Sequence, residues 1–239
     1  MEGADVALLA RDADTLSQTA KDIANETGRL VTGVAADTAD SVAVSQAVIA
    51  AEQALGGGID ILVNAAAEPA GHQAPPKLAE ITSEHFHHQL DIKVMGYLRT
   101  AQAVATGMKS RGWGRIINIS GLAARNTGNT VGSIRNVAVV AMTKNLADEL
   151  GKHGINVTAV HPGLTLTERT ETLVKSTALQ RGIDESQVWE ELHAGNSTGR
   201  IVTAEEVADV AVFLASPRSR AINGDVVAVG GGSSGSIYY

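Results

Sequence analysis

Cysteine is absent from this 239-residue sequence, and phenylalanine, tyrosine and tryptophan together make up only 3% of it. The first absence excludes a disulfide frame and thiolate chemistry, and is compatible with a reducing compartment. The second leaves the core to aliphatic side chains, packed between turns that draw on 25 glycines. Long apolar runs are missing too. None approaches the roughly 18 to 20 residues that span a bilayer, and the first residues lack a basic stretch followed by an apolar one. Positive charge is scarce: 19 Lys and Arg against 26 Asp and Glu give a formal net charge of -7. No basic cluster interleaved with aromatics occurs, which argues against a nucleic-acid groove. The expectations are one domain, a cytoplasmic setting, no membrane and no nucleic-acid partner.

What is present centres on Gly114 to Gly163. The apolar run Arg115-Ile116-Ile117-Asn118-Ile119 ends at Ser120-Gly121. A Gly/Asn/Thr-rich passage, Leu122 to Thr130, leads into a helical pattern from about Val131 to Lys152. A second β-branched run, Ile155 to Val160, closes on His161-Pro162-Gly163. Two apolar strands joined by a long helix predict a parallel βαβ unit, whose strands are buried on both faces and lose polar alternation. Ligands of such sheets sit beyond the carboxyl ends of the strands, which places Ser120 and the Pro162-Gly163 turn at any site.

The remaining chain continues the alternation. Val6 to Ala10 reads as a strand, Asp12 as the cap of a helix carrying Leu16, Ala20 and Ile23, and Gly28 as its stop. Leu30 to Ala36 is a second strand, Ser41 to Leu55 an Ala/Val-rich helix, and Ile59 to Ala67 a further strand. A surface loop with Pro69, Pro75 and Pro76 precedes a long helix from about Ser83 to Ser110. His85 and His88 share a face of that helix, without a third ligand at metal spacing, and no metal is expected. Thr170 to Asn196 is polar and helical in pattern. Thr203-Ala204-Glu205-Glu206 is a capping box opening a helix to about Ala215, and a last strand covers Val226 to Val229. The tail Ser236 to Tyr239 is apolar for a terminus.

Gly-Arg-Ile-Ile-Asn-Ile-Ser at 114–120, Ala-Met-Thr-Lys-Asn-Leu-Ala-Asp-Glu-Leu at 141–150 and Gly-Ile-Asn-Val-Thr-Ala-Val-His-Pro-Gly at 154–163 together resemble the catalytic half of the short-chain dehydrogenase/reductase family. The likeness covers nearly the whole chain. It implies a Rossmann-like, doubly wound parallel α/β sheet and NAD(P)(H)-dependent oxidoreduction of a carbonyl or alcohol on a small-molecule substrate, in a homodimer or homotetramer. The resemblance assigns cofactor contacts to Arg11, Asp37, Asn64, Ala66, Pro162, Gly163 and Thr167. Arg11 after Ala10 suits the 2′-phosphate of NADP(H) better than NAD(H), and equally suits a solvated helix start. Residues 170–196 would be the substrate lid. Relatives lay tails such as 236–239 on a neighbouring subunit.

Two family features are missing. No Gly-rich turn opens the sequence, and the strand that carries it in relatives has no counterpart. Either the sequence starts at an internal Met of a longer chain, or the sheet has closed up or borrowed a strand. The family's proton relay, a Tyr-x-x-x-Lys pair with Ser and Asn, is also incomplete. Ser120 is present, but Gly132 falls at the Tyr position, Asn136 at the Lys position and Lys93 at the Asn position. Shifting the register by one gives Ser133 and Val137, and no tyrosine occurs between Ser120 and Arg169. Three readings stay open: an oxidoreductase with a lost or rebuilt relay (Ser120, Ser133, Arg135, Lys93), a silent oligomeric subunit without cofactor binding, and a non-redox lyase or isomerase with Lys93 as base.

Overall fold

In the computed structural model, residues 2–67 and 75–232 are described; Pro69 and the tail 236–239 lie outside them. The order of elements is β1 (Val6–Ala10), α1 (Ala13–Thr27), β2 (Val31–Ala35), α2 (Ser41–Leu55), β3 (Ile61–Asn64), α3 (Ser83–Leu90), α4 (Gly96–Arg111), β4 (Gly114–Ile119), α5 (Thr130–Leu150), β5 (Ile155–Pro162), β6 (Thr165–Leu166), α6 (Glu168–Arg181), α7 (Glu185–Ala194), β7 (Val202–Thr203), α8 (Ala204–Ala215) and β8 (Val226–Val229). Strand and helix alternate as the hydrophobic pattern predicts.

All strand pairs are parallel, but the sheet is in two pieces. β1 pairs with β2, and β3-β4-β5-β8 form a second unit. β1 and β3 do not pair, so the sheet has not closed over the missing strand. The helix layer nevertheless crosses the division, since α2 packs on β1, β2 and α4 while α4 packs on β3 and β4. Unpaired strand edges are open to other chains, and Ile61 and Val63 of β3 are exposed.

The largest core cluster lies between the second unit and its helices: Val48, Ala101, Val104, Met108, Ile116, Ala147, Leu150, Ile155 and Val157. Ile117, Val160 and Leu214 hold α8 to the opposite face. Caps fall where the sequence puts them. Asp12 accepts from the Thr15 amide at 2.7 Å, and Thr203 and Glu206 bond reciprocally at 3.3 and 2.9 Å.

Three expectations change. The helix expected over 83–110 is interrupted by a π-helical turn, Asp91–Met95. Such a turn inserts an extra residue into the helix and re-aims its side chains; here it brings Lys93 into the interior. The strand expected over 59–67 shortens to Ile61–Asn64, because its flanks have no neighbour on the β1 side. The 170–196 segment is two helices, α6 and α7, clasped by Arg181–Glu191 contacts of 2.6 and 2.7 Å. They pack through Val174, Ala178 and Val188, and β6 pairs with β7 at their base.

Candidate active site

Lys93, Ser120 and Asn136, from three separate elements, meet at the carboxyl end of β4. Nζ of Lys93 donates to the Ser120 carbonyl at 2.8 Å and to Oδ1 of Asn136 at 3.1 Å. The Ser120 hydroxyl donates to the Asn136 carbonyl at 3.0 Å. All three are buried, Lys93 at 4% exposure. An ammonium removed from water without a carboxylate partner is costly, and its charged form is disfavoured. Burial first, and then the Arg135 guanidinium, bring its pKa down to about 7.

Two further groups were not singled out from the sequence. Tyr97 lies in α4, one helical turn beyond Lys93, with its ring centroid 6.0 Å from Nζ. Its hydroxyl donates to the Ile119 carbonyl at 2.9 Å, and the side chain is 1% exposed. Burial raises its pKa, against a smaller opposing effect of Arg135. The phenol is therefore a structural strut below the site, not a proton donor in it. His161 is 1% exposed, and both ring nitrogens lack a hydrogen-bond partner. It follows Val160, the register partner of Ile119, so it stands beside Ser120 on the same face of the sheet. Burial, then the cations Arg125 and Lys93, lower its pKa to about 4. An apolar-looking His-Pro-Gly turn gives no sign of this.

Other named residues sit elsewhere. Gly132 is in the first turn of α5, where a Cβ would meet the Asn129 side chain at 2.7 Å. Asn129 occupies that space because it caps α5, accepting from the Gly132 amide at 2.8 Å. Ser133 donates to the Asn126 carbonyl at 2.9 Å, outside the cluster. Asn64 is buried in a polar chain: it accepts from Thr100 at 2.7 Å and donates to Asn118 at 2.9 Å, and Asn118 donates to Thr143 at 3.0 Å. That chain ties β3, β4, α4 and α5 together although a second Asn is missing after Asn64.

Arg11 and Asp37 do come together. With Leu9, Ala10, Ala36, Thr38, Ala66, Ala67 and Ile92 they line a cavity of about 210 Å³ across the division of the sheet. Asp37 also accepts from the Ala39 amide at 2.9 Å. Pro162 ends β5, and Gly163 donates to Val229 at 3.0 Å, with room for no Cβ against Gly230, 2.9 Å away. Thr167 precedes α6, its amide donating to Thr170 at 3.1 Å. For a nicotinamide dinucleotide the fit is uneven. The cavity offers apolar walls with one cation and one carboxylate at its rim, as an adenosine ribose requires, and the Pro162–Gly163 turn faces the other end. No glycine-rich turn at a helix N-terminus stands between β1 and β3 among the described residues to receive a diphosphate.

Among the described residues no three His, Asp or Glu side chains converge as for a metal, and no helix is long and apolar enough to cross a membrane.

Residues 1–234 match the family described as Enoyl-(Acyl carrier protein) reductase. The short-chain reductase protein NovJ of Streptomyces niveus is 35% identical over 97% of this chain and 85% of its own. Gluconate 5-dehydrogenase of Gluconobacter oxydans is 32% identical over 98% and 87%. The crystal structure of L-sorbose reductase from Gluconobacter frateurii, complexed with NADPH and L-sorbose, superposes with a TM-score of 0.89 at 29% identity, covering 99% of this chain and 89% of that one. The strand order, the Ser-bearing end of β4 and these likenesses agree: the chain belongs to the short-chain dehydrogenase/reductase family.

Proposed function

We propose that the chain is an oxidoreductase of a small carbonyl or alcohol substrate, linked to NADP(H) rather than NAD(H), in which Lys93 takes over proton transfer. The observation that carries this reading is the position of Lys93 beside Ser120, with its ammonium poised near neutrality. An acid of that pKa is half charged at working pH, the condition under which a group both gives and recovers a proton efficiently. Support for NADP(H) comes from Arg11 at the cavity rim and from relatives such as the NADPH-bound L-sorbose reductase.

The nicotinamide would supply or take up hydride. Lys93 has three N–H donors, two of them engaged by Ser120 and Asn136; the third can reach a substrate oxygen, protonate it on reduction and recover the proton on oxidation. Asn136 fixes the amine, and its carbonyl holds the Ser120 hydroxyl. That hydroxyl must rotate away from the carbonyl to polarise a substrate. A homo-oligomer in the cytoplasm is part of the same reading.

One observation favours a silent subunit instead. The Ser120 hydrogen is already donated within the protein, and Lys93 is nearly closed to solvent. Titration of Trp113 and Trp189 fluorescence with NADPH and NADH separates the readings. Saturable binding favouring NADPH, with carbonyl turnover lost in Lys93→Met, supports the first. Absence of saturable binding by either nucleotide overturns it.

A further inference from the structure

We propose that the cleft beside Ser120 is specific for substrates carrying an anionic group, a carboxylate or a phosphate, held by Arg135 and Arg125 next to Lys93. This rests on the reading of Lys93 and Ser120 as the reacting centre and adds the class of substrate. Three cationic side chains surround that centre from three directions. Lys93 enters from the π-helical turn and is fixed on Ser120 and Asn136. Arg135 directly precedes Asn136 in α5, is 9% exposed, and donates from Nη1 to Oε1 of Gln89 in α3. Arg125 ends the short helical turn that follows Ser120–Gly121, its amide bonded to the Leu122 carbonyl at 2.8 Å.

The groups facing Lys93 from the packed elements are Arg135 of α5, His161 of β5 and Tyr97 of α4. None is a carboxylate. Asp91, the acid of its own turn, is drawn off by Arg99 at 2.7 Å. The two buried titrating bases respond as groups in a positive field do: Arg135 depresses Lys93, and Arg125 and Lys93 depress His161. Such a field disfavours further cations and attracts an anion, most strongly where water is excluded. The Arg fork matches carboxylate and phosphate oxygens two at a time. His161, with two unpartnered ring nitrogens behind Ser120, supplies a neutral donor at the same place.

The test uses ligands on one polyol skeleton: D-gluconate, D-glucitol 6-phosphate and neutral D-glucitol, bound to the full chain and followed by calorimetry at pH 6 and pH 8. The expected result is at least one anion binding about tenfold or more tighter than D-glucitol at pH 6. The preference should shrink at pH 8 as Lys93 loses its proton. Gluconate against phosphate identifies which anion fits. Arg125→Gln and Arg135→Gln should each reduce the preference several-fold. Because Arg125 is exposed, its variant tests the charge without disturbing packing, with a melting curve as the check. D-glucitol binding as tightly as both anions, failure of both anions to bind, or an unchanged preference in Arg125→Gln would each overturn the proposal. NADPH titration is read separately: anion selectivity without cofactor binding keeps this inference and defeats the oxidoreductase reading, and the converse does the opposite.

Discussion

Lys93 and Asn136 stand 3.1 Å apart, ammonium to amide oxygen, and hold each other's places: the family resemblance puts the Asn at 93 and the Lys at 136. The pair of residue types is kept while the cation moves from helix α5 to the π-helical turn. Its new seat is deeper and has no phenol to act on.

Reversing the exchange in halves should be unequal to reversing it whole. Asn136→Lys sets a second ammonium against a buried one, and Lys93→Asn leaves the Ser120 carbonyl without its donor. Each should lower stability by about 2 to 4 kcal/mol. The double variant should recover more than half of the summed loss, measured by urea unfolding as a double-mutant cycle. Strict additivity would mean that the two side chains do not act on one another.

Stability should depend on pH through Lys93 and His161. Each has a folded pKa below its unfolded value, about 7 against 10.5 and about 4 against 6.5. Between those limits the unfolded chain binds more protons, so stability rises with pH from about 7 to 10.5 for Lys93 and from about 4 to 6.5 for His161. Lys93→Met should therefore be more stable than the parent at pH 6.5, with the gap closing towards pH 10. His161→Phe should flatten the acid limb. Parallel pH–stability curves for parent and Lys93→Met would sink the assignment.

Placing a phenol back in α5 meets a steric obstacle. A Cβ at 132 would lie within 2.7–2.8 Å of the Asn129 side chain, which caps the helix. Gly132→Ala should gain little from the roughly 1 kcal/mol advantage of Ala over Gly in a helix, because it displaces a cap of similar worth. In an Asn129→Ala background the same change should yield that kcal/mol in full, read from thermal melts. Equal gains in both backgrounds would show that the cap yields freely. Gly132→Tyr with Asn136→Lys is for this reason expected to need Asn129→Ala as well before any carbonyl reduction appears.

The open edge of β3 should be adhesive. Val63 is 47% exposed on a strand with no neighbour towards β1. Val63→Lys should lower concentration-dependent self-association in light scattering, with a change in stability under about 1 kcal/mol. Unaltered association would place the contact surface elsewhere.

Much of this protein was legible along the chain because period and punctuation are local properties. Apolar runs, Asp12, Gly28 and the Thr203–Glu206 box each act within a few residues, so they mark the same elements in the sequence and in space. The missing Tyr was equally plain, since an absent side chain cannot be supplied by folding. The function of Tyr97 was not legible, because only depth separates a buried strut from a proton donor. Asn64 misled for a related reason: the motif that suggests a cofactor contact does not reveal that Thr100 and Asn118 already occupy its amide.

Residue order alone settled the family, the parallel βα alternation and the loss of the phenol, all of which follow from spacing and residue type. Tertiary structure alone decided that the sheet stays divided, and that a π-helical turn aims Lys93 at Ser120. It also decided that Arg135, Arg125 and His161 share one field. Those outcomes depend on distances between residues dozens of positions apart and on the exclusion of water from between them, and neither quantity is written in any local stretch of the chain.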